Sequence, residues 1–93
     1  VDDFKLLGNY PNPFNPSTTI VFNLNANENV SIEIFNHLGE KVRGLSDQEF
    51  STGENKVLWN GLSDNNKSVS SGIYLYKIST TQNTLYGKMI LQK

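Results

Sequence analysis

Few residues of this 93-residue chain are of types that do chemistry, and they are scattered. His37 is the only histidine, set in the turn-forming run NHLGE beside Gly39. A Ser-His-Asp relay would need it as its base, but no nucleophile-elbow glycine pattern accompanies it. It reads as a surface turn residue, not a catalytic one. Cysteine is absent, so a zinc site would depend on carboxylates, and none cluster at ligand spacing. Asp64, Asn66 and Ser68 match positions 1, 3 and 5 of a calcium loop. Position 6 is Val69 where glycine is needed, and position 12 is Leu75 where a glutamate is needed. That stretch reads as an Asx-rich turn. No glycine loop is built to cradle phosphate, and no metal or cofactor is expected.

The aromatic residues allow a sharper idea. Trp59, Tyr74 and Tyr76, with Tyr86, would suit a sugar-stacking platform, since such rings pair a flat apolar face with a polar edge. The competing reading places Trp59 and one tyrosine face in the core, where a small sandwich needs large side chains to reach native packing density. The core reading is the stronger. Lys77, Lys88 and Lys93 lie on or near the last two expected strands, where lysines commonly block edge-to-edge pairing.

Strands must position these residues, because helix signals are weak. Ala26 is the one alanine, and no window carries apolar residues at i, i+3, i+4 and i+7 behind a capping box. Period-two alternation recurs instead. Residues 18–24 place Ile20, Phe22 and Leu24 on one face, and residues 30–35 do the same with Val30, Ile32 and Ile34. The polar run NANEN, 25–29, predicts a hairpin between them. A weaker strand over 41–45 precedes a polar stretch to Phe50, and STGEN turns the chain at Gly53. Residues 56–60 set Val57 and Trp59 opposite Leu58. The long polar connection 61–72 is pinned by Val69. Residues 73–79, apolar almost throughout, predict a central strand covered on both faces. Leu85, Met89 and Leu91 mark the last strand, and FKLLG at 4–8 adds a short first one. The sum is an all-β, small antiparallel immunoglobulin-like sandwich of about seven strands, with strand order left open.

All the prolines, Pro11, Pro13 and Pro16, stand just before the 18–24 strand. Each fixes φ and pushes its predecessor toward extended geometry. Residues 10–16 therefore read as a stiff, extended clasp that lays Tyr10 and Phe14 on one end of the sandwich. Proline is tolerated there because no ladder bond needs its missing N–H.

Composition bounds the function. Eight basic against nine acidic residues give a net charge of −1, with no basic stripe to offset a phosphate backbone, which argues against nucleic-acid binding. No apolar run approaches a membrane span. The length suits one domain over residues 1–93, with 1–8 a linker or first strand. The start at Val1 without methionine is expected of a processed fragment or excised domain, any export leader belonging to a preceding part.

Beyond composition, YPNPFNPSTTI at 10–20 closely resembles the opening motif of the type A C-terminal sorting domains of the type IX (Por) secretion system. SIEIFNHLGEKV at 31–42, SGIYLYKI at 71–78 and YGKMILQK at 86–93 follow in that family's order, so the likeness covers residues 9–93. VLWNGLSDNNKSVSSGIYLY, 57–76, is also similar to the immunoglobulin-like domain of the flagellar hook-capping protein, a likeness that supports the fold more than a flagellar role. The first resemblance implies a non-catalytic address label borne by an N-terminal cargo domain in the same precursor. It further implies export through the periplasm, recognition by an outer-membrane translocon, and removal by a sortase-like peptidase, with the cargo reaching the cell surface or exterior. Recognition is expected at Tyr10, Pro11, Asn12, Pro13 and Phe14 of the opening motif, at Gly72 and Tyr74, and at Lys88 and Lys93 of the closing strand. That strand is expected to offer a free edge and end for strand addition. The alternatives are a carbohydrate-binding module on a secreted hydrolase, using Trp59, Tyr74 and Tyr76, and a plain structural spacer.

Overall fold

Alternating apolar residues make strands whose inner faces must be covered, and here two sheets cover each other. The computed structural model describes residues 4–93. Its strands are β1 (Lys5–Tyr10), β2 (Thr18–Leu24), β3 (Glu28–Asn36), β4 (Lys41–Phe50), β5 (Gly53–Trp59), β6 (Gly72–Ser79) and β7 (Thr84–Leu91). One sheet has the order β1-β2-β5 and the other β4-β3-β6-β7, and every pairing is antiparallel. This is an immunoglobulin-like sandwich with its fourth strand on the larger sheet, where constant-type domains place that strand on the other. Residues 1–3 of the expected linker or first strand lie outside the described residues; 5–8 belong to β1.

Ile20, Phe22 and Leu24 of β2 face Val30, Ile32 and Ile34 of β3 across the core, all fully buried. Each such side chain contributes about 1.5–3 kcal/mol by leaving water. Tyr76, Ile78, Met89 and Leu91 complete the inner face of the larger sheet. Phe50 closes one side with its ring edge-on to Phe22, the centroids 5.2 Å apart.

Three expectations are corrected. β2 and β3 are not a hairpin: residues 25–27 carry the chain between sheets, because the two apolar faces oppose each other instead of sharing one face. β4 runs on to Phe50 rather than ending near Leu45, its polar residues 47–49 exposed along a sheet margin. β6 is central but covered on one face only, and Ile73 and Leu75 remain exposed. The pin at Val69 is present, packed against the core from the long connection.

Candidate recognition site at the clasp and terminal strand

The segment between β1 and β2 is held at both ends by buried polar groups. Asn9 donates through Nδ2 to Thr18 Oγ1 at 3.1 Å, and the Thr18 hydroxyl donates to the Pro11 carbonyl at 2.8 Å. Both side chains are buried, and the two bonds in series give the Asn9 amide and the Thr18 hydroxyl partners away from water. Farther along, the Pro16 carbonyl passes so close to Gly61 that an added Cβ would sit 2.8 Å from it; Gly61 also holds φ +78°.

Between these anchors, residues 11–16 bend rather than extend, and they lie along the outer margin of β7. The Phe14 N–H donates to the Ile90 carbonyl at 2.9 Å, and the Gln92 N–H donates to the Phe14 carbonyl at 2.9 Å. Asn12 Oδ1 accepts from the Ile90 N–H at 3.0 Å, with a long contact of 3.5 Å from its Nδ2 to the Lys88 carbonyl. The clasp therefore occupies both outer ladder groups of Ile90 and the Gln92 N–H, which corrects the expectation of an open terminal edge. Only the Thr84–Tyr86 end of β7 lacks this cap among the described residues.

Phe14 is 2% exposed and plugs the end of the sandwich. Its ring lies 5.7 Å from Trp59, which in turn meets Tyr74 edge-on at 5.5 Å. Trp59 Nε1 donates to the Leu62 carbonyl at 3.0 Å. The Tyr74 hydroxyl donates to the Ser70 carbonyl at 2.6 Å, the tyrosine corner that ties a β-sandwich strand to its incoming loop. The platform of Trp59, Tyr74 and Tyr76 is thereby corrected: all are buried in the core and offer no face to a sugar. Tyr86 is exposed but stands apart from them.

The remaining expected residues divide. Gly72 opens β6 opposite Leu91, beside the clasp. Lys93 is drawn to the long connection, its N–H donating to Ser71 Oγ at 3.1 Å and its Nζ to Ser68 Oγ at 2.7 Å. Tyr10 is the exception. It pairs with Thr19 at the end of β1 and is 65% exposed instead of lying on the sandwich end. Its hydroxylate nonetheless opposes ionisation of Tyr76, whose phenol is held above the usual tyrosine range first by burial and then by Tyr10.

The loop once compared with a calcium site caps the opposite margin of the larger sheet. Asp64 Oδ1 accepts from the Gly44 N–H at 3.0 Å, and the Asp64 N–H donates to the Val42 carbonyl at 2.9 Å. Asn66 takes the left-handed turn at φ 60°. Among the described residues no group of three or more His, Cys, Asp or Glu side chains could hold a metal. His37 is exposed in a turn organised by Asn36, whose Oδ1 accepts from Leu38 and Glu40 N–H groups. The sequence places Asn12 in the recognition segment and Asp64 in an Asx-rich turn, but gives neither its role as an edge cap.

At the other end of the sandwich, a cleft of about 550 Å³ is lined by Phe4, Asn25, Glu28, Gln82 and Asn83. It gathers amides, the Glu28 carboxylate and the Thr84 hydroxyl, with no histidine, lysine or arginine among the described lining residues. No described helix is long and apolar enough to cross a membrane.

Among solved structures, the chain is similar to PorZ, an essential bacterial surface component of the type-IX secretion system of Porphyromonas gingivalis. The identity is 23% and the TM-score 0.61, over 99% of this chain and 12% of that one. It is likewise similar to the dimeric latent PorU of the same organism, at 22% identity and TM-score 0.69, over 96% and 9%. These likenesses speak for the fold, and the chain spans only about a tenth of either protein. No curated protein matches significantly. The model of the secretion system C-terminal sorting domain matches residues 9–92, which takes in the clasp, both sheets and the capped terminal strand. The chain therefore belongs to that family: it is a type IX sorting signal, a module of a non-catalytic kind that directs export to the cell surface or exterior.

Proposed function

We propose that the secretion machinery reads this signal as a composite of the clasp and the terminal strand, at residues 10–14, Gly72, Tyr74, Lys88 and Lys93. The reader is an outer-membrane translocon, the passenger is a cargo domain N-terminal to the signal in one precursor, and a sortase-like peptidase separates the two after passage. The observation that supports this best is the fusion of both elements through the bonds of Asn12 and Phe14 to Ile90 and Gln92. Tyr74 contributes by fixing the corner beneath them, and Gly72 by starting β6 next to Leu91.

The test is a secreted fluorescent reporter carrying residues 1–93 at its C-terminus, expressed in a bacterium with a type IX system. Removing residues 86–93 is expected to trap the reporter in the periplasm. Normal export of that truncation would sink the proposal. Burial of the aromatic platform leaves the carbohydrate-module alternative without a supporting feature.

A further inference from the structure

The outer face of the β4-β3-β6-β7 sheet is unevenly built. Antiparallel partners share a face, so the register can be read across it in rows. Ile73 lies opposite Ile90, and Leu75 lies between Phe35 and Lys88. Lys77 lies between Glu33 and Tyr86, and Phe35 is also flanked by Lys41. Ile73, Leu75, Ile90 and Tyr86 are all substantially exposed, Tyr86 to 65%. Together they form an apolar patch centred on the end of the sheet that carries the clasp.

Its charge is one-sided. Glu33 is the only carboxylate in these rows, and it pairs with Lys41 at 3.3 Å. Lys77 and Lys88 have no ion-pair partner among the described residues. Acidic residues of this face, Asp47 and Glu49, lie toward the far end of β4, opposite Ser31 and Asn29.

Protecting a sheet edge does not account for these lysines. Lys77 is on a central strand, and the edge at Lys88 is already covered by the clasp. The clasp also occupies the strand margin at Ile90 and Gln92, so a partner at this end is offered the face rather than that margin.

We propose that this face docks a protein surface of the secretion machinery that presents an apolar centre within an acidic rim, a refinement that rests on the sorting reading above. Charge complementarity selects the occupant: unpaired lysines beside an apolar centre favour an acidic partner and fix its orientation. The patch spans about 14 Å across the strands and about 14 Å along them, from ordinary strand spacing and rise. That is roughly 200 Å², about a quarter of one partner's share of a standard interface. It is the size of an energetic centre, with exposed Tyr86 the type of residue that dominates such centres. A lipid surface is the poorer fit, because polybasic lipid sites gather about 4–8 basic residues, and this face offers only Lys77 and Lys88 free of an ion pair among the described residues.

The reporter fusion to residues 1–93 tests this with two variants on the outer face. Leu75→Asn with Ile90→Thr removes the apolar centre, and Lys77→Glu with Lys88→Glu inverts the charge. The exported-to-periplasmic ratio is expected to fall at least tenfold for each, while the purified domains keep their thermal midpoint within a few degrees. Normal export by the charge-inverted variant, with its midpoint preserved, overturns the inference. If the apolar variant fails to fold, the charge-inverted variant decides alone. Co-sedimentation of the unaltered domain with phosphatidylglycerol vesicles, lost on charge inversion, would assign the face to lipid and overturn it as well. Failure here leaves the truncation of residues 86–93 still blocking export, whereas failure of the sorting reading lets the truncation through.

Discussion

Phe14→Ala is the most telling perturbation of the clasp. The substitution removes the ring but leaves the backbone bonds that Phe14 makes to Ile90 and Gln92. What is lost is a side chain 2% exposed, packed 5.7 Å from Trp59 at the open end of the core. Phe→Ala at such sites costs about 3–5 kcal/mol, transfer and cavity included. A domain of this length has a total stability of about 5–14 kcal/mol, so the loss is a large fraction of it. The thermal midpoint should drop by about 12–40 °C at roughly 4–8 °C per kcal/mol. Tyr10→Ala is the control from the same motif: its ring is 65% exposed, and the expected change is within about 0.5 kcal/mol. Urea titration followed by Trp59 fluorescence measures both, with midpoints compared at constant slope. A Phe14→Ala loss below about 1 kcal/mol, or an equal loss for Tyr10→Ala, would refute the reasoning that the motif closes the core through Phe14.

Tyr74→Phe keeps the ring against Trp59 but orphans the Ser70 carbonyl, and should cost about 1–3 kcal/mol in the same titration. Gly87→Ala places a Cβ inside the Tyr76 ring that crosses directly above it, with an expected loss of about 1–3 kcal/mol. Trimming the ring with Tyr76→Leu should make the pair less than additive, and strict additivity would place the clash elsewhere. Tyr76 also predicts an alkaline weakness. Its phenol titrates above 10 in the folded state, so the unfolded chain loses that proton first as pH rises. The stabilisation is fully present below pH 10 and declines above it, through the folded pKa, and Tyr76→Phe should flatten that decline in denaturation curves.

The strands were legible because their inner residues recur at every second position: Ile20, Phe22 and Leu24, then Val30, Ile32 and Ile34, have one face each. What alternation cannot convey is which strands lie side by side. A hairpin and a crossover between facing sheets bury the same residues, so the 25–27 link was read as the wrong one of the two. The same limit hid the one-sided cover of β6, since Ile73 and Leu75 look like core residues until the outer face proves empty. At the site, the prolines marked the clasp and its neighbours but not its direction. Phe14 goes inward and Tyr10 outward because Phe14 alone has the opening beside Trp59. Asn12 and Asp64 were unreadable as edge caps, because a carboxyl or amide reaching a strand from far along the chain leaves no local pattern.

That distance has its own consequence for an address signal. Asn12 meets Lys88 and Ile90 across separations of 76 and 78 residues, so the composite surface joins nearly opposite ends of the sequence. Contacts of such long range form only with the fold as a whole, after the cost of closing a long loop has been met. A reader of that surface therefore distinguishes a folded signal from an unfolded one that carries the same terminal peptide. The prediction is that a reporter ending in residues 86–93 alone stays in the periplasm, as does one whose residues 9–16 are replaced by a glycine-serine linker. The Asn12→Ala variant loses the exposed bond from Ile90, worth about 0.5–1.5 kcal/mol, and the longer contact to Lys88; it should stay folded and be exported less in proportion to its loosened clasp. Export supported by the terminal peptide alone would show that the strand is read as sequence, and the composite surface would then have no part in recognition.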